Sequence, residues 1–256
     1  MSTWGKVKSI LGLTFSLTKA KFKLRNEGSF LGVLWYLLDP LAFFLILSII
    51  RLNTTNKSFE NYGIYLLVGL IIFNFFRGSV TSAISSISGK SNIIKSMKIN
   101  LEPLVISSNT NLLISHFFEI FVIMLFMIYY NLNLLNILWY PIILIPLIFF
   151  NLGVSFIFSI IGVYVNDFKN IWAIVSRLLW FLTPIFYEIE KGTLIHKLNL
   201  FNPLYYFIKM SREIFSNDVF PSLISIISIF VFSIVIFLIG IFIFEINEDK
   251  LAENTR

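Results

Sequence analysis

The chain has 256 residues, of which 57% are hydrophobic and 13% charged, with 29 Phe and a formal net charge of +6; its mean hydropathy is +0.85. So few charges cannot cover a soluble surface of this size, which excludes a soluble domain and makes the chain an integral membrane protein. Cysteine is absent, so disulfide, thiolate and cysteine–metal chemistry are excluded, and the basic excess fits membrane topology rather than nucleic-acid binding.

Residues 1–30 precede the first long apolar run. Ile10, Leu13, Leu17, Ala20 and Leu24 recur at spacings of three and four, opposite a stripe of Lys8, Gly12, Ser16, Lys19 and Lys23. That pattern predicts an amphipathic helix lying in the membrane interface, lysines toward anionic headgroups. The run that follows comes after charged residues and has no small-residue cleavage site, so it is expected to remain as a span. Within it Asp39 precedes Pro40, which removes a backbone donor and kinks the helix.

A helix crosses the hydrocarbon core with roughly 20 apolar residues, and six runs qualify: 31–51, 63–87, 105–130, 137–165, 171–187 and 221–244. An even number of spans puts both termini on one side. Lys6, Lys8, Lys19, Lys21, Lys23 and Arg25 before the first span, and Lys90, Lys95 and Lys98 between the second and third, place that side in the cytoplasm. The connection 131–136 has no positive charge, and the first outer loop has only Lys57 beyond Arg51. Residues 188–220 run against the rule with Lys191, Lys197, Lys209 and Arg212, balanced by Glu188, Glu190, Glu213 and Asp218. They are too short and polar for two more spans, yet Pro203, Tyr206, Phe207, Met210 and Ile214 keep an apolar face, which predicts two short re-entrant or surface helices. The whole chain, 1–256, reads as one all-α membrane domain ending in a tail at 245–256.

Four charges fall inside spans: Asp39, Arg77, Glu119 and Arg177. Each is expensive in hydrocarbon and should face protein or water, either as a structural pair or as a substrate contact; Arg177 is also close enough to its span's end to snorkel. His116 and Glu119 lie three apart on one helix face, but His196 is the other histidine and is expected on the opposite side, so no metal site is expected. Gly89, Lys90 and Ser91 spell the end of a phosphate-binding loop. The glycine such a loop needs five residues earlier is Ile84, and SVTSAISSISG continues a helical run rather than following a strand. A nucleotide-binding domain would also need on the order of 150 residues, far more than any cytoplasmic segment here offers. The chain is therefore expected to bind no nucleotide or other cofactor, and to be no enzyme.

Five stretches, in order, resemble one family. KAKFKLRNEGSFLGVLWYLLDPL, SNIIKSMKINLEPLVISS, GVSFIFSIIGVYVNDF, WFLTPIFYEIE and NPLYYFIKMSREIF are similar to segments of ABC-2 type permease subunits that export O-antigens, capsular polysaccharides and teichoic acids. The resemblance runs from about residue 19 to 244. It departs at Asp39, where members often carry asparagine; at Ile99 to Glu102 and Pro103, in place of an aromatic-proline-arginine run; and at Asn166, in place of the arginine of an arginine–aspartate pair.

The resemblance implies a subunit in the bacterial cytoplasmic membrane that moves lipid-linked polysaccharide and is driven by two copies of a separate ATP-binding subunit carrying ATP and Mg²⁺. That partner would contact a coupling helix within about 89–103, through Asn92, Lys95 and Lys98. Residues 188–220 would form an outer gate, with Asn202, Pro203, Tyr206 and Arg212 its marked positions. The family's arrangement of two permease copies facing each other is also implied, and it fits the fact that six helices fill their own interior with side chains while a polymer needs a wide pathway. Trp35, Tyr36, Phe43, Phe44, Trp172, Trp180 and Phe181 lie on the spans expected near that interface, where rings either line a sugar path or pack helices. An ABC-2 permease for a drug or small lipid is the nearest alternative. A membrane-embedded glycan-processing enzyme is another, and would need outer carboxylates or histidines that converge.

Overall fold

The computed structural model describes residues 3–27, 29–54, 61–90, 100–216 and 219–254. Among these every regular element is helical, as expected of a chain whose backbone polar groups must be satisfied without water. The α-helices are α1 (Thr3–Asn26), α2 (Trp35–Thr54), α3 (Tyr62–Ile84), α4 (Glu102–Tyr129), α5 (Pro141–Tyr164), α6 (Phe168–Leu182), α7 (Leu194–Asn199), α8 (Pro203–Phe215) and α9 (Leu223–Asn254). Four segments are long and apolar enough to cross a membrane: Tyr62–Ile84, Glu102–Tyr129, Leu134–Tyr164 and Leu223–Glu248. Proline stands in the first turn of α4, α5 and α8, where its missing N–H costs no hydrogen bond.

The helix at 168–182 is shorter than the run 171–187 suggested, 15 residues in all. Pro184 is the reason. The residue before a proline is pushed to extended backbone, and Thr183 adopts φ −75°, ψ 135°.

Helix α3 is the axis of the bundle. Most of its residues from Gly63 to Ile84 are buried, and α2, α4, α5, α6 and α8 all pack on it. Its side chains join Ile120, Ile123, Met127, Ile143, Leu147, Phe150, Phe207 and Phe215 in the main core. A second cluster closes the end of the bundle that carries α1, the basal end, with Ala83, Ile87, Leu101, Leu104, Phe156, Phe244 and Leu251. There the Glu248 carboxylate accepts a hydrogen bond from the Leu101 N–H.

Helices α5 and α9 approach to backbone contact. A methyl group on Gly153 would stand 2.5 Å from the Ile236 carbonyl oxygen, and one on Gly240 would strike the Gly153 carbonyl. Glycine on both helices lets the backbones touch, and van der Waals contact at that range is what joins helices in lipid.

Helix α1 packs along α4, and only part of the apolar stripe is covered. Thr14 and Thr18 are the buried polar residues there, the Lys21 ammonium donates to Ser108 Oγ at 2.6 Å, and Arg25 Nη1 donates to Ser115 Oγ at 3.3 Å. Ile10, Leu13 and Leu17 are half-buried, Leu24 is exposed, and Val7, Leu11 and Phe15 form an exposed apolar strip. The hydroxyls of Ser108 and Ser115 on α4 draw Lys21 and Arg25 inward, while the stripe of Lys8, Gly12, Ser16, Lys19 and Lys23 stays exposed. Asn92, Lys95 and Lys98 lie outside the described residues.

Replacing Gly153 or Gly240 with alanine should force α5 and α9 apart and lower stability by about 1–3 kcal/mol, read as an earlier thermal unfolding midpoint. Gly12→Ala, which has open space around its Cβ, should leave that midpoint unchanged or raise it slightly.

Candidate functional site

Two adjoining cavities open on one side of the bundle, one of about 760 Å³ between α2, α3 and α6 and one of about 320 Å³ between α2, α3 and α4. They share Arg25, Asn74, Arg77, Gly78 and Leu112, so they form one groove. A single polar stripe on α3 builds its floor. Asn74, Arg77, Gly78, Thr81 and Ser85 recur three and four residues apart, and all face the larger cavity, while the rest of α3 turns apolar side chains to the core.

All four intramembrane charges meet in this groove. Asp39 and Glu119 line the smaller cavity, Arg177 the larger, and Arg77 both. Arg25 and Lys169 add two cations. Among the described residues no carboxylate comes within ion-pair distance of Arg77, Lys169 or Arg177, so the structure pairs neither Arg77 nor Arg177 with Asp39. Asn74 Nδ2 is buried without a hydrogen-bond partner.

The marked rings divide. Trp35, Phe43, Trp180 and Phe181 line the groove, Trp35 and Phe181 with more than half their surface exposed. Phe44 meets Phe126 edge to face at 4.9 Å. Trp172 is buried, its ring edge-on to Phe76 and Phe158 and its Nε1–H donating to Thr81 Oγ1 at 2.9 Å. Those two rings pack helices. Tyr36 belongs to α2, and its side chain lies outside those described. His116 is a packing residue as well: its ring stacks on Phe75, its Nε2 lies 2.7 Å from the Tyr140 hydroxyl, and its Nδ1 lies 3.4 Å from Glu119.

The other end of the bundle is a cap built on irregular backbone. After α6 the chain runs unhelical from Thr183 to Gly192, and its buried carbonyls need donors. Arg212 of α8 supplies two of them, Nη1 donating to Pro184 O and Nη2 to Ile185 O, each at 2.7 Å, while its Nε donates to Tyr65 O of α3 at 3.0 Å. Its guanidinium also lies 3.4 Å above the Tyr65 ring. The Tyr62 and Tyr65 hydroxyls donate to Phe186 O and Tyr187 O, and Asn199 Nδ2 donates to Leu182 O. Desolvation lowers the Arg212 pKa to about 10, which leaves it cationic at neutral pH. The guanidinium occupies the space over Gly69, where a methyl group would lie 2.7 Å from Nη2.

Of the other cap positions, Asn202 caps α8, its Oδ1 accepting from the Leu204 N–H and its Nδ2 donating to Thr183 Oγ1. Pro203 opens α8. Tyr206 is partly exposed and donates to Leu200 O. Sequence reasoning missed Arg25, Asn74 and Lys169 in the groove and Tyr62, Tyr65 and Asn199 in the cap. The groove had a legible signal, the polar stripe at helical spacing on α3. The cap tyrosines had none, because aromatic residues are common throughout the chain.

A family described as ABC-2 type transporter matches residues 12–216. Two Klebsiella pneumoniae proteins called O-antigen export system permease protein RfbA are similar to this chain, at 31% identity over 225 residues and 30% over 223. The alignments cover 84% and 83% of the chain and 85% of each relative. A Myxococcus xanthus protein of the same name is 24% identical over 247 residues, 95% of both chains.

Arg212→Met should leave the carbonyls of Tyr65, Pro184 and Ile185 without their donor. It should destabilise the fold by about 3 kcal/mol, seen as a lower unfolding midpoint and faster proteolytic cutting within 188–202. Arg212→Lys should recover part of this, since one ammonium cannot reproduce the planar fork. Lys209→Met, at an exposed pair with Glu213, should stay within about 0.5 kcal/mol of the parent.

Proposed function

The chain belongs to the ABC-2 type transporter family, and from that premise we propose that it is the membrane-spanning subunit of an ATP-driven exporter of lipid-linked polysaccharide of the O-antigen class. The observation that carries this reading is the similarity to three proteins called O-antigen export permeases along most of the chain. The groove supports it. It combines aromatic faces, which offer a sugar apolar contact without deep hydrogen-bond traps, with a polar floor that suits a hydrated polymer.

The permease crosses the bacterial cytoplasmic membrane six times, α2 and α6 supplying the two spans beyond the four long apolar segments. Its termini face the cytoplasm, as the lysines before α2 and between α3 and α4 favour. The subunit transports and does not catalyse. ATP and Mg²⁺ belong to a separate ATP-binding partner, present in two copies, that docks on the segment holding Asn92, Lys95 and Lys98. The segment 188–220, which contains the cap, is the outer gate.

A second copy of the permease completes the conduit. One copy supplies a single wall, and on the open side of the groove α6 leaves Ile171, Ile174, Leu178 and Phe181 exposed while α2 leaves Phe43 and Ile46 exposed. Two such faces brought together enclose a path and cover apolar surface at once.

Deleting the gene should abolish surface polysaccharide and leave lipid-linked polymer inside the cell, measured by labelling the glycan on intact and on lysed cells; normal surface polysaccharide would refute the export reading. Trp180→Phe and Trp35→Phe should keep most export because a ring face remains, whereas the alanine variants should lose export at normal protein yield. Cysteines placed at Ser91 and Asn254 should label only from the cytoplasmic side, and one at Thr55 only from outside.

A further inference from the structure

We propose that the basal end of α9 positions the coupling segment, with Glu248 and Leu251 holding its two ends, so that closure of the ATP-binding partner moves α3, α4, α5 and α9 as one body. The inference rests on the reading of the chain as a subunit driven by a separate ATP-binding partner, and it names the residues of this chain that carry the partner's motion into the spans.

The first observation is length. The apolar run that crosses the membrane closes at 244, yet α9 continues as helix to Asn254. The added stretch reads EINEDKLAEN and is mostly polar, and helix ends of that kind fray unless something holds them. Packing holds this one. Phe244 and Leu251 are fully buried, in the cluster that also contains Ala83 and Ile87 before the coupling segment and Leu101 and Leu104 after it.

The second observation is the hydrogen bond at the start of α4. Leu101 occupies the N-cap position and makes no side-chain cap. Three residues on, where a glutamate could reach back to its N–H, stands Leu104. The Glu248 carboxylate fills that role from another helix, 147 residues away in sequence, accepting from the Leu101 N–H at 3.1 Å. Leu101 is fully buried, so water offers its N–H no substitute, and the helix dipole favours a carboxylate at this end of α4.

The third observation is what α9 is fixed to. Along its length it meets the backbone of α5 through Gly153 and Gly240, and nearer the base Gly162 of α5 lies against the carbonyl of Ile84, the last residue of α3. Neither contact leaves space for a methyl group. α3, α5 and α9 are thus joined without flexible side chains between them, and Glu248 adds the start of α4 to the same body. A push on the chain between 90 and 100 then meets a strut fixed to both of its ends, so it tilts helices instead of bending a loop.

The test uses the full permease with its ATP-binding subunit. Surface polysaccharide on intact cells, ATP hydrolysis by the purified complex, the amount of partner that co-purifies and the unfolding midpoint are measured for each variant. Glu248→Ala should keep the partner at the parent's yield and lower the ratio of export to hydrolysis by about fivefold or more. Glu248→Gln retains an acceptor oxygen and should restore most of that ratio. Leu251→Ala loosens the cluster under the same strut and should lower the ratio in the same direction. Met127→Ala, in the main core, is the control for stability: it should lower the unfolding midpoint and the protein yield and leave the ratio per complex unchanged.

An alanine variant at position 248 with the parent's ratio would overturn the proposal. So would a glutamine variant no better than alanine, or export and hydrolysis that fall together in step with the midpoint, which is the mark of a purely structural contact. Should Glu248→Ala yield no complex, Glu248→Asp, which only shortens the reach of the carboxylate, takes its place, and a parental ratio there counts against the proposal in the same way. The two readings fail separately. A parent permease that purifies with no ATP-binding subunit removes the reading of a partner-driven exporter, whereas a parent that exports, beside a Glu248→Ala variant that couples normally, removes this inference alone.

Discussion

Helix α3 is apolar on nearly every side, and a helix of that kind reaches low free energy only when other helices surround it. α2, α4, α5, α6 and α8 do so, and their positions follow from it. The exception is the line Asn74, Arg77, Thr81 and Ser85. These groups cannot be covered by apolar side chains without large desolvation costs, so no helix closes over them and a groove remains. The same helix thus sets both the core and the opening.

Two arginine environments show how the fold treats charge. Arg212 is buried, and the carbonyls it serves are those of a chain segment that has left its helix at Pro184. Cation and irregular backbone satisfy each other, which gives the cap a fixed shape and ties α8 to α3 and to the end of α6. Arg77 and Arg177 face space instead of carbonyls.

The aromatic residues divide along similar lines. Trp172 uses its ring to fill the angle between Phe76 and Phe158 and its N–H to hold Thr81, which fixes α6 against α3. Trp180 and Phe181, two turns further on, meet each other edge to face at 4.8 Å and turn toward the groove. On a helix this short, with only Trp172 and Ser176 buried, one face anchors and the others remain available.

Composition alone determined that the chain lives in a membrane and is helical, because lipid leaves the backbone no other partner over such apolar lengths. Hydropathy placed the helices at 62–84, 102–129 and 141–164 within a few residues, and the start but not the end of the one at 223–254, which runs ten residues past the expected 244; the prolines marked several of the starts. Intramembrane charge marked Asp39, Arg77, Glu119 and Arg177, since hydrocarbon makes any such residue conspicuous. Spacing along one helix carries no information about neighbours on another. Only the tertiary structure decided that those four residues share one groove with Arg25 and Lys169, that Trp172 packs while Trp180 lines, and that Lys21 and Arg25 turn inward to serines of α4. It also decided that Arg212, which the pattern of charges shows only as a cation near the outer edge, is buried under carbonyls from residues 65, 184 and 185. That contact joins segments more than a hundred residues apart in the chain, a relation fixed by packing rather than by local periodicity.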